Sequence, residues 1–153
     1  MRPTSTDTLE AILATFETYV APDVTDEYAA SLALTIGQLL RSVLVRIEQE
    51  GEALFADNAE LRALLEWASP QLAPETERAV RDALESSPIA AGTYPSVARL
   101  MVEADALRGA LDTVIRAVDD PQHPVRAGGR AYLTHQLERQ APWLLDAFTG
   151  PRR

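Results

Sequence analysis

Apolar residues recur at steps of three or four along most of this chain, which is the spacing that places side chains on one face of an α-helix. The longest uninterrupted example runs from residue 26 to residue 50. Its stripe is broad enough to require cover on more than one side. It consists of Tyr28, Leu32, Ile36, Leu39, Leu40, Val43 and Ile47, widened by Ala29, Ala33 and Leu44. The pattern predicts a long helix in the core of the protein.

Both ends of this helix carry local signals. Thr25 is placed to cap the first turn, and the carboxylates of Asp26 and Glu27 suit the positive end of a helix dipole. Gly51 follows the stripe and is a typical C-terminal stop. The sequence therefore predicts a helix over residues 26–50.

The remaining periodic stretches predict further helices, separated by proline-containing connections. Asp57 and Glu60 have the spacing of a capping box, which predicts that a helix begins there. The stripe over residues 96–119 is as strong as the first, so we expect the two long helices to pack together. The other predicted helices span about residues 7–20, with Ser5 or Thr6 as cap, 57–68, 75–85 and 125–148, the last kinked at Pro142.

No stretch shows the period-two alternation of a half-buried strand. The sequence thus predicts an all-α, single-domain antiparallel bundle of five to six helices over residues 1–153, with two long core helices at about 26–50 and 96–119. Residues 86–95 contain serine, proline and glycine without helical periodicity. They are the predicted longest loop and serve as a hinge, a lid or a plain connector.

Charge and composition narrow the functional classes. The net charge of −9 comes from 23 acidic and 14 basic residues, and every basic residue is an arginine. Residues 1–94 carry 16 acidic residues and 6 arginines, an imbalance that repels nucleic acid and anionic lipid. There is no cysteine, and no run of about 20 uncharged residues that would cross a bilayer. We expect a cytoplasmic protein that binds neither nucleic acid nor membranes.

The sequence contains no familiar catalytic arrangement. Its two histidines, His123 and His135, lack the Glu-x-x-His spacing of metal sites in helical bundles. It has no Gly-x-Ser-x-Gly nucleophile elbow, and a phosphate loop ending in lysine is excluded because the chain contains no lysine. We therefore predict no catalytic residue, no cofactor and no metal.

Three features are candidates for an interface. Gly128-Gly129, between two arginines, is either an anion-binding turn or an ordinary helix start. The carboxylates at residues 48–52 are either a docking patch for a basic partner or a solvated helix end. Aromatic residues near predicted helix ends are enriched at interfaces, although they also cap small cores. The predicted interface residues are Arg126, Arg130, Tyr132, Tyr94, Trp143, Glu48 and Glu52.

Three helical segments carry a resemblance to a known family. They are Tyr28-Ala29-Ala30-Ser31-Leu32-Ala33-Leu34, Arg46-Ile47-Glu48 leading into Leu61-Arg62-Ala63-Leu64-Leu65, and Arg130-Ala131-Tyr132-Leu133. In order and spacing they resemble the small accessory proteins found with aminoglycoside-phosphotransferase-like kinases and acyl-CoA dehydrogenases, including the small partner of the levulinate-pathway kinase. The resemblance extends over most of the chain as a pattern and implies a helical partner subunit without a catalytic motif.

The sequence therefore favours a non-catalytic accessory or oligomerising subunit of a metabolic enzyme. The resemblance implies a phosphotransferase-like kinase that acts on hydroxyacyl-CoA as that enzyme, and a protein partner or self-association is expected. The alternative is a small-ligand-binding or enzymatic bundle with an apolar pocket between the long helices, lined by Phe16, Leu40 and Met101.

Overall fold

A computed structural model describes residues 3–86 and 94–145 of the chain. These residues form five α-helices and contain no strand. The helices are α1 (Ser5–Thr15), α2 (Glu27–Ala68), α3 (Pro74–Glu85), α4 (Val97–Ala117) and α5 (Pro124–Leu145). The predicted all-α class is confirmed, and the number of helices agrees with the prediction.

The chain divides into two compact units. The N-terminal unit comprises Met1–Glu50 and Gln140–Arg153, and the C-terminal unit comprises Gly51–Arg139. Helices α2 and α5 therefore contribute residues to both units. That the whole chain behaves as one domain stays a prediction.

The first helix begins slightly earlier than predicted. The Thr4 hydroxyl accepts a hydrogen bond from the Asp7 N–H at 3.1 Å, and the Asp7 carboxylate accepts one from the Thr4 N–H at 2.8 Å. This reciprocal capping box replaces the predicted caps at Ser5 or Thr6. The hydrogen bond from the Thr4 N–H, and to a smaller extent the Thr4 side chain, lower the pKa of the Asp7 carboxyl.

After α1 the chain continues as a wider helical turn. Residues Phe16–Val20 form a π-helical turn, closed by a hydrogen bond from the Ala21 N–H to the Phe16 carbonyl. A short 3-10 turn over Ala21–Asp23 follows and contains Pro22, where the sequence predicts the end of the helix. The predicted helix over residues 7–20 thus exists, but its last part has π rather than α hydrogen bonding.

The second helix is much longer than predicted. It contains 42 residues, which corresponds to about 63 Å at 1.5 Å per residue. Its first turn is capped by Asp26, whose carboxylate accepts a hydrogen bond from the Ala29 N–H at 2.8 Å. The predicted cap at Thr25 is therefore wrong by one residue.

The predicted stop at Gly51 and the predicted restart at Asp57 are both wrong, because α2 passes through them without a break. A glycine inside a helix costs about 1 kcal/mol relative to alanine, which is small against the packing energy of the flanking turns. A Cβ on Gly51 would lie 3.7 Å from both Tyr94 Oη and Val97 Cγ2. Gly51 therefore lies beside these two side chains inside the C-terminal unit, with room for a methyl group.

The core of the C-terminal unit forms where the second half of α2 meets α3, α4 and α5. Helices α3 and α4 agree closely with the predicted segments, and they pack against each other. Ser96 caps α4 by accepting a hydrogen bond from the Arg99 N–H. The buried core side chains are Leu61, Leu65, Ala68, Val80, Leu107, Ala110, Leu111, Val114, Val125 and Tyr132.

Two adjacent glycines allow α5 to approach its neighbours closely. A Cβ on Gly128 would lie 2.7 Å from Leu64 Cδ1, and a Cβ on Gly129 would lie 3.5 Å from Leu111 Cδ1. Both glycines lie inside α5 and face α2 and α4, respectively. Gly128-Gly129 is thus a helix-packing element and not the anion-binding turn considered from the sequence.

The N-terminal unit leaves most of its apolar side chains in contact with solvent. The stripe expected in the core remains exposed in the first half of α2, where Ala33 is the buried hydrophobic residue. Large exposed side chains in this unit include Ile12, Tyr19, Val20, Tyr28, Leu32, Leu34, Ile36, Leu39, Val43 and Ile47. Within this unit the expectation of a buried stripe is wrong.

By length and composition, the segment Glu27–Gln71 could also cross a membrane. Its most apolar window of 18 residues has a mean hydropathy of 1.4, and 11% of that window is buried. A long core helix of a soluble protein meets the same criteria. The predictions of a cytoplasmic location and of no membrane binding remain predictions.

Candidate functional site

The first half of α2 exposes a row of aliphatic side chains at steps of four, three and four residues. Leu32, Ile36, Leu39 and Val43 form this row, which we call the α2 seam, and their exposed fractions lie between 44% and 61%. In heptad notation the β-branched residues occupy a positions and the leucines occupy d positions. Burying a side chain of this size is worth about 1.5–3 kcal/mol. The seam is therefore a candidate association surface.

The buried side of this half of α2 lies next to the seam. Ala33 and Gly37, each one residue after a seam position, are buried. A Cβ on Gly37 would lie 3.5 Å from Glu17 Oε1, and the Glu17 carboxylate forms an ion pair with Arg41. Successive helical residues differ by about 100° around the axis. The seam is therefore rotated by about 100° from the contacts that fold this unit.

A row of small polar residues bounds the seam on its other side. Ser31, Thr35, Gln38 and Ser42 also follow steps of four, three and four residues. The Thr35 hydroxyl donates a hydrogen bond to the Ser31 carbonyl at 3.1 Å. The seam is thus a narrow apolar strip between a polar row and a buried face, as in one helix of a coiled coil.

An apolar groove of about 620 Å³ runs along α1 and the π-helical turn. Its polar groups serve the helix itself, since the hydroxyls of Thr8 and Thr15 donate to the carbonyls of Thr4 and Ala11. It is lined by Pro3, Asp7, Thr8, Ala11, Ile12, Thr15, Phe16 and Val20. A ligand site of this volume normally has polar groups directed at the ligand, so this groove has the character of an uncovered helix face.

Arg46 joins α2 to α5 within the N-terminal unit. Its guanidinium carbon lies 5.7 Å from the centroid of the Trp143 ring, and it forms an ion pair with Glu50 one helical turn later. The Trp143 Nε1 atom is buried and has no hydrogen-bond partner within residues 3–86 and 94–145. Trp143 thus packs inside this unit, and its role at an interface stays a prediction.

The C-terminal unit contains a cluster of charged side chains between α2, α4 and α5, in which Asp57 is buried and the others are partly exposed. The Asp57 side chain is 1% exposed and accepts a hydrogen bond from Arg139 Nε. Arg139 Nη2 also donates to Glu60 Oε2 at 2.6 Å, and His135 Nδ1 is hydrogen-bonded to Glu60 Oε1 at 2.7 Å. Arg108 Nη2 lies 3.8 Å from Asp57 Oδ2 and adds a second positive charge. We call these five residues the charged cluster.

Hydrogen bonding within the charged cluster changes the ionisation of its members. Burial alone would raise the pKa of Glu60, but the hydrogen bonds from His135 and Arg139 outweigh it and hold the pKa below its ordinary value. Burial also raises the pKa of the neighbouring Tyr132 hydroxyl, against the opposing influence of Arg108. Each carboxylate of the cluster is thus paired with at least one cation. This pairing supports a structural role, because an effective general base needs an uncommitted lone pair directed at a substrate.

A second polar network ties α2 to α3 and α4. The Asn58 amide donates to the Leu100 carbonyl at 2.9 Å and to Glu103 Oε2 at 3.1 Å. Arg62 donates to Glu103 Oε1 at 2.6 Å and to the Leu84 carbonyl at 2.9 Å, near the end of α3. Because Asn58 and Glu103 are buried, these contacts fix the rotation of α2 against its neighbours.

The structure gives several predicted interface residues roles inside the fold. Arg126 donates to the carbonyls of Val118 and Asp119 and so caps the end of α4. Arg130 donates to the Pro121 carbonyl at 3.1 Å. Tyr132 is 2% exposed and belongs to the core, so the expectation that it lies near a helix end is wrong. The two arginines therefore hold the turn before α5 in place.

The remaining predicted interface residues lie on the surface. Tyr94 is exposed and stacks on Phe55 with ring centroids 6.4 Å apart, and both belong to the C-terminal unit. Glu48 and Glu52 are exposed on α2. Their interface roles stay predictions, and residues 87–93 of the predicted loop lie outside the described residues.

The two histidines lie at different kinds of site. The His123 ring Nδ1 accepts a hydrogen bond from the Val125 N–H at 3.2 Å and so caps α5, whereas His135 belongs to the charged cluster. The part of the chain that the structure describes contains no group of three or more side chains suited to hold a metal ion.

The sequence predicted that the α2 seam lies in the core, and it did not predict the charged cluster. The seam had a usable signal, because Ile36 and Val43 at a positions with leucines at d positions are typical of a paired helix. The cluster had none, since Asp57 and Arg139 are 82 residues apart.

No protein-family model, curated protein or solved structure matches the chain. The resemblance to the small accessory proteins stays a prediction.

Proposed function

We propose that this chain is a non-catalytic accessory or oligomerising subunit of a metabolic enzyme, and that its N-terminal unit makes the protein contact. The observation that carries the proposal is the exposed α2 seam. Leu32, Ile36, Leu39 and Val43 lie in a continuous row on one side of a regular helix. A protein that leaves such a row exposed gains free energy from any partner that covers it.

The free energy available from covering the seam is comparable with the cost of association. Full burial of four side chains of this size is worth about 6–12 kcal/mol, and roughly half of that remains available at the observed exposures. Association costs at least about 4 kcal/mol in lost translational and rotational freedom. The free energy of association that the seam alone provides is therefore close to zero. The neighbouring exposed residues Tyr28 and Ile47 extend it at both ends.

The resemblance noted from the sequence supports the choice of partner enzyme. The small accessory proteins that the chain resembles accompany aminoglycoside-phosphotransferase-like kinases and acyl-CoA dehydrogenases. We therefore propose a phosphotransferase-like kinase acting on hydroxyacyl-CoA as the enzyme that this subunit serves. The paired state of the charged cluster supports a subunit that contributes contacts and not chemistry.

The alternative, a small-ligand-binding bundle, receives less support. Its proposed pocket combined Phe16 and Leu40 of the N-terminal unit with Met101 of the C-terminal unit. The groove along α1 contains Phe16, but its threonine hydroxyls bond to their own helix. A groove of this kind suits an apolar protein surface better than a small polar ligand.

The experiment compares two leucines of α2 that are equally exposed. Leu39 in the seam is 61% exposed, and Leu34 is 59% exposed about 140° away around the helix. The tagged wild-type chain, Leu39→Glu and Leu34→Glu are each purified from native lysate under mild conditions. Far-UV circular dichroism first verifies that both variants keep the helical content of the wild type.

We expect the wild type and Leu34→Glu to retain a partner at a stoichiometric ratio, identified by mass spectrometry as a kinase-like or dehydrogenase-like enzyme. Leu39→Glu should lose at least about nine-tenths of it, because a buried unpaired carboxylate costs several kcal/mol. Equal retention by Leu39→Glu, or recovery of all three as bare protein, would overturn the proposal. Turnover of a hydroxyacyl-CoA by the purified chain alone would refute its non-catalytic part.

A further inference from the structure

We infer that the α2 seam is covered by a second copy of this chain, in a parallel and in-register dimer of α2 helices. The inference rests on the proposed function and names the partner at the seam itself. The enzyme would then bind the paired α2 helices of the dimer, so Leu39→Glu, which separates the two copies, also releases the enzyme. Three observations lead to this arrangement.

The first observation is the identity of the seam residues. Ile36 and Val43 are the a positions and Leu32 and Leu39 are the d positions of consecutive heptads. β-Branched residues at a with leucine at d favour a parallel pair of helices, because each side chain then packs well against its own counterpart. A helix that packs into a groove of a different protein does not need β-branched residues at a positions and leucines at d positions.

The second observation is the distribution of charge. The chain has a net charge of −9, so two copies repel each other over most of their surface. Residues 28–40 carry no charge, and they contain most of the seam together with its polar border. In a parallel dimer the residues that face the partner helix lie near their own copies, so a charge there would meet a like charge. This neutral stretch of α2 is therefore suited to self-pairing.

The third observation is the available area. Tyr28 and Ile47 flank the seam at heptad positions g and e. Complete cover of these two residues and of the four seam residues would bury at most roughly 600 Å² per copy, or roughly 1,200 Å² for both. This value lies at the lower end of specific interfaces. We therefore expect a weak dimer that dissociates on dilution and has no permanent shared core.

The experiment uses the absence of cysteine from the chain, because a single introduced thiol then reports one position. In the parallel dimer, Leu32 lies opposite Leu32 of the second copy. In an antiparallel dimer centred on the same seam it would face Val43, and the two copies of residue 32 would lie about 16 Å apart along the axis. A disulfide needs Cα atoms within about 7 Å. Leu32→Cys therefore distinguishes the two orientations.

Leu32→Cys and the matched control Leu34→Cys are oxidised at micromolar concentration and analysed by non-reducing electrophoresis. Sedimentation equilibrium of the wild type measures its mass over a concentration series. We expect a mass that rises towards twice 16.7 kDa, and at least tenfold more cross-linked dimer for Leu32→Cys than for the control. Circular dichroism of both variants confirms that they are folded.

Three outcomes would overturn the inference. A wild type that stays monomeric throughout the series would exclude self-association, and partner retention in the lysate experiment would still test the proposed function independently. Equal cross-linking of the two cysteine variants, or cross-linking only between Leu32→Cys and Val43→Cys chains, would exclude the parallel register. Flotation of the wild type with neutral phosphatidylcholine vesicles, lost in Leu39→Glu but kept in Leu34→Glu, would show that lipid covers the seam.

Discussion

Asp57 and Arg139 form an ion pair, and we predict that removing Arg139 lowers the unfolding free energy more than removing Asp57. The Asp57 side chain is 1% exposed, whereas that of Arg139 is 27% exposed. Arg139→Met leaves a buried carboxylate whose nearest cation is Arg108, with Nη2 3.8 Å from Oδ2. Asp57→Asn leaves Arg139 partly hydrated and still paired with Glu60 at 2.6 Å. The first substitution leaves a fully buried carboxylate with one distant cation, whereas the second removes the ion-pair partner of the more exposed Arg108.

The expected losses of unfolding free energy follow from this difference. Removing one partner of a buried pair costs about 3–5 kcal/mol when the other charge stays buried. Because Arg108 remains close to Asp57, we expect Arg139→Met to cost about 3 kcal/mol. Asp57→Asn keeps the size of the side chain and should cost about 1 kcal/mol. Combining Asp57→Leu with Arg139→Met removes both charges and should return stability to within about 1 kcal/mol of the wild type.

Urea unfolding followed by far-UV circular dichroism measures these differences. Arg116→Met is the matched control, because the ion pair of Arg116 with Asp112 is exposed at 78% and 59% and should contribute less than about 0.5 kcal/mol. The reasoning would be refuted if Arg139→Met and Arg116→Met had equal effects. It would also be refuted if the double variant were less stable than Arg139→Met alone.

Two further predictions concern helix packing and acid stability. The Cβ of Gly128→Ala would lie 2.7 Å from Leu64 Cδ1, so Leu64 must turn aside, and the net loss of unfolding free energy should lie between zero and about 2 kcal/mol. Gly109→Ala meets no atom within 4 Å and should raise the unfolding free energy by about 0.5–1 kcal/mol, and thermal unfolding of the two variants tests both values. The pKa of Glu60 is lower in the folded chain than in the unfolded chain, so its ionised form stabilises the fold above about pH 4.3 and this contribution is lost as the pH falls. Glu60→Gln should therefore show a smaller loss of stability between about pH 6 and pH 3 in urea titrations, and an unchanged loss would contradict this assignment.

The sequence predicted the helices better than it predicted their ends. Periodicity alone located α3 and α4 almost to the residue, because each has a clear stripe and a proline or serine at its start. Gly51 and the pair Asp57 and Glu60 misled the prediction because they imitate a helix stop and a capping box. In the structure the same two carboxylates bind Arg139, whose position no local pattern reveals. Local signals were overruled by contacts between distant parts of the chain.

Periodicity also shows that a helix has an apolar face without showing what covers it. The stripes of α2 and α4 are equally regular, yet Leu107, Leu111 and Val114 are buried whereas Leu39 and Val43 are exposed. The difference depends on the tertiary arrangement, which sequence spacing does not contain. Only the separation of β-branched residues and leucines into a and d positions distinguishes the first half of α2 from an ordinary core helix.

The π-helical turn over Phe16–Val20 has a consequence for how related chains would differ in length. A π turn holds one more residue than an α turn, so losing one residue such as the exposed Thr18 would leave a regular helix. The same loss would rotate α1, together with Glu17, by about 100° relative to Arg41 of α2, the ion-pair partner of Glu17. The backbone thus tolerates a single-residue gap here more readily than the side chains do. Any descendant with such a gap would need compensating changes along the whole of α1.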